Sequence, residues 1–122
     1  MMNEIVDSDP DCLFCKIVAG AIPARIVHQT ERVLAFEDIR PQAPHHVLII
    51  PKEHCASLEE LADGKGGLLA EVVLAARAIA RERGLAATGY RIVLNTGRDS
   101  GQEVFHIHFH LLGGRRLGWP PG

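Results

Sequence analysis

The sequence predicts an α+β domain, with an antiparallel sheet of about five strands packed on one long helix. Three observations lead to this. Residues 68–83 form a single long run rich in Ala, Leu and Arg, closed by Gly84. Short apolar or β-branched runs recur at 26–29, 33–38, 46–50, 90–95 and 104–112, each bounded by turn residues. The chain has 122 residues, long enough for one domain and too short for two comfortable ones.

Residues 1–11 are polar, carry Pro10 and read as a loose lead-in; residues 12–122 read as the domain with its tail. A short helix is expected over 12–19, stopped by Gly20 and Pro23. Strands follow at 26–29 and 33–38, joined by a turn at Glu31-Arg32. Pro41-Gln42-Ala43-Pro44 is a rigid connector, because each proline fixes its own φ and restricts its predecessor. His46-Val47-Leu48-Ile49-Ile50 is apolar at nearly every position, which suits a central strand ending at Pro51. A second short helix is expected over 57–62, with Ser57 as N-cap and Glu60 completing a capping box. Asp63 to Gly67 should break it.

On the long helix, Leu69, Val72, Val73, Ala76, Ile79 and Ala80 make the apolar stripe. Leu68, Leu74 and Ala75 widen it beyond one face, so a homodimer contact is expected there. Strands at 90–95 and 104–112 complete the sheet, and a Pro/Gly tail carries Trp119, which should dock somewhere.

A net charge of -2 argues against nucleic acid or anionic membrane as a partner. Aromatic residues make up only 5%, too few for a base-stacking platform. The first residues lack the charged-then-apolar order of a signal peptide, so a cytoplasmic protein is expected. Three cysteines, two of them as Cys12-Leu13-Phe14-Cys15, suggest metal or redox chemistry over a structural disulfide.

The chemistry concentrates in His106-Ile107-His108-Phe109-His110-Leu111-Leu112. In a strand the three imidazoles would share one face, with Phe105, Ile107, Phe109 and Leu111 on the other. A solvated face or a His-x-His metal site would also fit. The preceding Asn95-Thr96-Gly97-Arg98-Asp99-Ser100-Gly101-Gln102 favours phosphate, because its glycines let backbone N–H groups approach an anion. Alone, that loop would read as a plain turn.

His106-Ile107-His108-Phe109-His110-Leu111-Leu112 resembles the signature of the histidine-triad (HIT) superfamily, and the longer run from Gly101 to Arg115 resembles its nucleotide-binding HINT branch. So do Asp38-Ile39-Arg40-Pro41-Gln42-Ala43-Pro44-His45-His46, Ile50-Pro51-Lys52-Glu53-His54 and Trp119-Pro120-Pro121-Gly122, in order along nearly the whole chain. The resemblance implies a homodimeric HIT fold and a purine nucleoside phosphoramidase, which cleaves the P–N bond of AMP or GMP amidates and often hydrolyses aminoacyl-adenylates. It implies His108 as nucleophile, His110 on the phosphate oxygens, and His106 and His46 as support. Asp38 would hold ribose hydroxyls and Ile39 would lie beside the base. Asn95, Gly101, Gln102 and Glu103 would lie near the phosphate, and Trp119 would reach the partner subunit's site. Glu103 departs from the serine usual in animal members, and a carboxylate beside phosphate is repulsive unless turned away.

No cofactor is required for this chemistry. Zinc-containing relatives imply a structural zinc on Cys12, Cys15, His54 and His106, whereas members without the cysteines fold metal-free. Two other functions stay open: a dinucleoside polyphosphate hydrolase, disfavoured by Leu112-Gly113-Gly114 after the motif, and a nucleotide-binding scaffold. Cys55 has no assigned role.

Overall fold

The structure is a computed structural model and describes residues 8–122. Residues 1–7 of the expected lead-in lie outside the described residues. Asp9 to Cys12 form a turn, closed by Cys12 N–H donating to the Asp9 carbonyl at 3.0 Å. It leads into helix α1 (Leu13–Val18), whose N-cap Cys12 accepts the Cys15 N–H on its sulfur at 3.3 Å.

Five strands follow: β1 (Ile26–Gln29), β2 (Val33–Glu37), β3 (His45–Pro51), β4 (Tyr90–Leu94) and β5 (Phe109–Gly113). They form one antiparallel sheet in the order β1-β2-β3-β5-β4. Between β3 and β4 come two 3-10 turns, Leu58–Glu60 and Asp63–Lys65, then helix α2 (Gly66–Glu82) and the short α3 (Leu85–Thr88).

The sheet buries both faces, which is why central β3 is apolar at successive positions. Val33, Ala35, Val47, Ile49, Phe109 and Leu111 point to α2 and meet Val72, Ala76, Ile79 and Ala80. Leu34, Phe36, Leu48 and Ile50 point the other way and meet Cys12, Phe14 and Cys15 of the α1 segment. Period-two alternation places His46 and His110 on this second face.

Several expectations need correction. The last strand begins at Phe109, not at residue 104. Antiparallel pairing upstream would set Pro51 opposite Ile107, and Pro51 has no N–H to donate. Ile107 instead donates to the Cys55 carbonyl at 2.7 Å. The strand-like alternation therefore fails above Phe109: Phe105 is exposed, while all of 106–109 is buried. On α2 the buried residues include Leu68 and Ala75, and Val73 and Leu74 stand outward. The helix expected at 57–62 is a single 3-10 turn. Ser57 does cap it, bonding the Glu59 N–H and the Glu60 carboxylate. Trp119 is 82% exposed.

Gly114 has φ +95, and a Cβ there would meet the rigid Pro44 ring at 2.9 Å. Gly114→Ala is expected to lose about 1–3 kcal/mol of stability in urea unfolding. Gly113→Ala should lose less, because its Cβ meets only the rotatable end of Leu85. Equal losses would contradict this account of the two positions.

Candidate active site and metal cluster

His108 sits just before the β5 ladder and is buried. Its Nδ1–H donates to the His106 carbonyl at 2.7 Å. This bond uses the Nδ1 proton and leaves Nε2 as the basic nitrogen. Phe14 of α1 lies edge-on to the His108 ring, with centroids 5.1 Å apart, and the His110 ring centroid lies 5.0 Å from that of His108.

A second chain of bonds sets the other two rings. The Gln42 N–H donates to His46 Nδ1 at 3.0 Å, so the neutral ring carries its proton on Nε2. That Nε2–H donates to His110 Nδ1 at 2.9 Å. His110 must then carry its own proton on Nε2, as a donor. The Asp38 carboxylate lies 3.4 Å from His46 Nε2 and accepts the Arg40 N–H at 2.8 Å through its other oxygen. Asp38, His46 and His110 thus converge, but the two ring nitrogens between them are already bonded to each other, a poor arrangement for a metal.

Burial pushes the pKa of His108 and of His46 below the usual imidazole range. His110 falls to about 4, first through burial and then through the neighbouring His108 and His46; Asp38 opposes this and loses. The site is therefore a set of neutral imidazoles at neutral pH: one basic nitrogen at His108 and one N–H donor at His110. Such a pair can attack an electrophilic phosphorus and hold its oxygens.

The expected nucleoside and phosphate residues are distributed unevenly. Ile39 is 93% exposed, Asn95 is half-buried, and Gly101 and Glu103 are exposed. Gln102 is buried and turned inward. It accepts the Gly97 N–H at 2.8 Å and donates to the Ala56 and Val104 carbonyls, so its amide builds the loop. Two contributors escaped the sequence reading: the Gln42 backbone N–H, which leaves no signal in side-chain identity, and Phe14, visible only as the apolar residue inside Cys12-Leu13-Phe14-Cys15.

Cys12, Cys15, His54 and His106 come together behind this site. His106 Nδ1 lies 3.4 Å from Cys12 Sγ, 3.5 Å from Cys15 Sγ and 3.3 Å from His54 Nδ1. Cys15 Sγ lies 3.4 Å from His54 Nδ1. Nitrogen and sulfur ligands on a tetrahedral zinc stand roughly 3.3–3.6 Å apart, so the four residues fit such an ion. The fit extends to the outer partner. His106 Nε2–H donates to the Pro51 carbonyl at 2.8 Å, which turns the Nδ1 lone pair toward the cluster.

Residues 19–117 match the HIT domain family. The chain is 45% identical over 108 residues to a purine nucleoside phosphoramidase of Escherichia coli, covering 88% of this chain and 91% of that protein. It is 44% identical over 116 residues to a 14 kDa zinc-binding protein of Zea mays, covering 93% and 90%. Its fold superimposes on the crystal structure of a HIT family hydrolase from Legionella pneumophila with a TM-score of 0.90, at 53% identity, covering 92% of this chain and all of that one. Among the described residues no helix is long and apolar enough to cross a membrane.

The depressed His110 pKa gives a signed expectation. The folded state holds this ring neutral, so its contribution to stability is full above the unfolded value near 6.5 and is lost as pH falls toward about 4. NMR of the His110 ring should show no titration from pH 8 down to 5.5. A midpoint near 6.5 would contradict the burial argument.

Proposed function

The chain belongs to the HIT domain family, and from that membership we propose that it is a purine nucleoside phosphoramidase, hydrolysing the P–N bond of AMP or GMP amidates through a nucleotidyl-histidine. The observation that carries this is the bond from His108 Nδ1–H to the His106 carbonyl, which readies Nε2 as a nucleophile.

His108 Nε2 attacks the α-phosphorus, the P–N bond breaks, and the amine leaves with a proton delivered by a water molecule. Water then cleaves the P–Nε2 bond, releasing the nucleotide and freeing the ring. A neutral imidazole both attacks and departs readily, so two easier steps replace a harder one. His110 Nε2–H donates to a phosphate oxygen where charge develops, and His46 holds its tautomer. Asp38 binds the ribose hydroxyls and Ile39 borders the base. Asn95, Gly101 and Glu103 line the phosphate loop that Gln102 shapes. Cys12, Cys15, His54 and His106 would hold a zinc ion, which would supply a structural anchor without redox chemistry. A homodimer completes the reading. It would cover the outward Val73 and Leu74 of α2 and give the exposed Trp119 a neighbouring subunit to meet.

Mixing the protein with adenosine 5′-phosphoramidate and quenching early should give an adenylyl adduct by intact mass, with AMP released. His108→Ala should lose the adduct and at least about 1000-fold in turnover while still binding AMP. AMP binding without adduct or turnover in the wild type would instead indicate a nucleotide-binding scaffold.

Protein purified without chelator should carry about one zinc per chain by elemental analysis. A Cys12→Ser, Cys15→Ser double variant should lose the zinc and melt at lower temperature. Zinc far below one equivalent in the wild type would sink the metal reading.

A further inference from the structure

We propose that Cys12, Cys15 and His54 are positioning residues for the His108 nucleophile, acting through the main chain of His106. The proposal rests on the metal and phosphoramidase readings above and extends them. It assigns the metal cluster a part in aligning the reacting nitrogen, beyond holding the fold together.

The starting point is where the ladder ends. Phe109 pairs with Ile49 and Leu94, and upstream of it no strand partner holds the chain. His106 and His108 lie in this unladdered segment. The nucleophile's tautomer depends on the His106 carbonyl at 2.7 Å, so that carbonyl must be held by something other than the sheet.

Two anchors hold it. The Ile107 N–H donates to the Cys55 carbonyl at 2.7 Å, fixing the peptide that carries the His106 carbonyl. The second anchor is the fully buried His106 ring. Pro51 fixes its Nε2, and its Nδ1 faces Cys12, Cys15 and His54 at 3.3–3.5 Å. A metal shared by those four residues would lock the ring, and with it the carbonyl, in one place.

A second path leads to the same nitrogen. Cys12 and Cys15 flank Phe14, whose ring touches both His106 and His108 edge-on, at centroid distances of 6.0 and 5.1 Å. Fixing the two sulfurs fixes α1 and keeps Phe14 against the nucleophile. Both paths end at the orientation of His108 and leave the ribose and base contacts untouched. Loss of the cluster should therefore act on kcat more than on KM.

The test compares zinc-loaded wild type, the same protein stripped by chelator and then reloaded with zinc, Cys15→Ser, and Cys15→His, which keeps a zinc-competent ligand. The readouts are zinc content, the His108 tautomer by nitrogen-15 NMR, and steady-state kinetics on adenosine 5′-phosphoramidate. Zinc-loaded protein should show His108 protonated at Nδ1 alone. Stripped protein and Cys15→Ser should show mixed tautomers, with kcat down about 10- to 100-fold and KM within about threefold. Reloading with zinc, or Cys15→His, should restore the single tautomer and kcat.

A folded, zinc-free protein that keeps the single tautomer and full kcat would overturn the proposal, as would a wild type that takes up no zinc. If Cys15→Ser fails to fold, the stripped and reloaded wild type makes the same comparison. Zinc-loaded wild type without turnover would overturn the phosphoramidase reading, while the tautomer spectra would still decide the positioning claim.

Discussion

The hydrogen bond from His108 Nδ1–H to the His106 carbonyl, 2.7 Å long, sets which imidazole nitrogen can react. A free imidazole exchanges its proton between two nitrogens, and only one tautomer presents a lone pair at Nε2. Much of the structure around it serves to keep this acceptor in place. Pro51 and Cys55 supply carbonyls to His106 and Ile107 at the point where the sheet stops supplying them. Gln102, through three bonds to backbone, braces the loop that leads in. Among the described residues no buried side-chain nitrogen or oxygen lacks a partner, as expected where each loose polar group would cost stability.

Electrostatics follow from the same packing. The His110 ring lies 5.2 Å from that of His46 and 5.0 Å from that of His108, and a charge on His110 would be costly beside the other two. Burial is the first cause of the lowered pKa at His46, His106, His108 and His110. Asp38 pulls His46, His108 and His110 the other way and is outweighed in each case. The outcome is a neutral cluster whose donor and acceptor roles are dictated by geometry. Gln42 donates to His46 and His46 to His110, which places the His110 proton on Nε2.

Most elements were legible in the sequence because their causes are local. Residues 26–29 appear unchanged as β1, the continuous apolar run predicted central β3, and Gly84 with φ +75 ends the long helix region as expected. The misreadings have non-local causes. The alternation of His106, His108 and His110 imitates a strand, but a ladder needs a partner, and Pro51 cannot donate. Val73 fits the helical stripe by spacing, yet the sheet meets α2 along Val72, Ala76, Ile79 and Ala80.

By itself, the sequence determined most element types, the α+β class, the family resemblance and the identities of the histidines and cysteines. Propensity, period and motif are properties of neighbours along the chain. Tertiary structure decided which nitrogen of each ring is free, which way Gln102 turns, and that Cys12 meets His106 across 94 residues of sequence. Those outcomes depend on individual donors and acceptors brought within about 3 Å by packing. Side-chain identity alone carries no record of where a backbone carbonyl will stand.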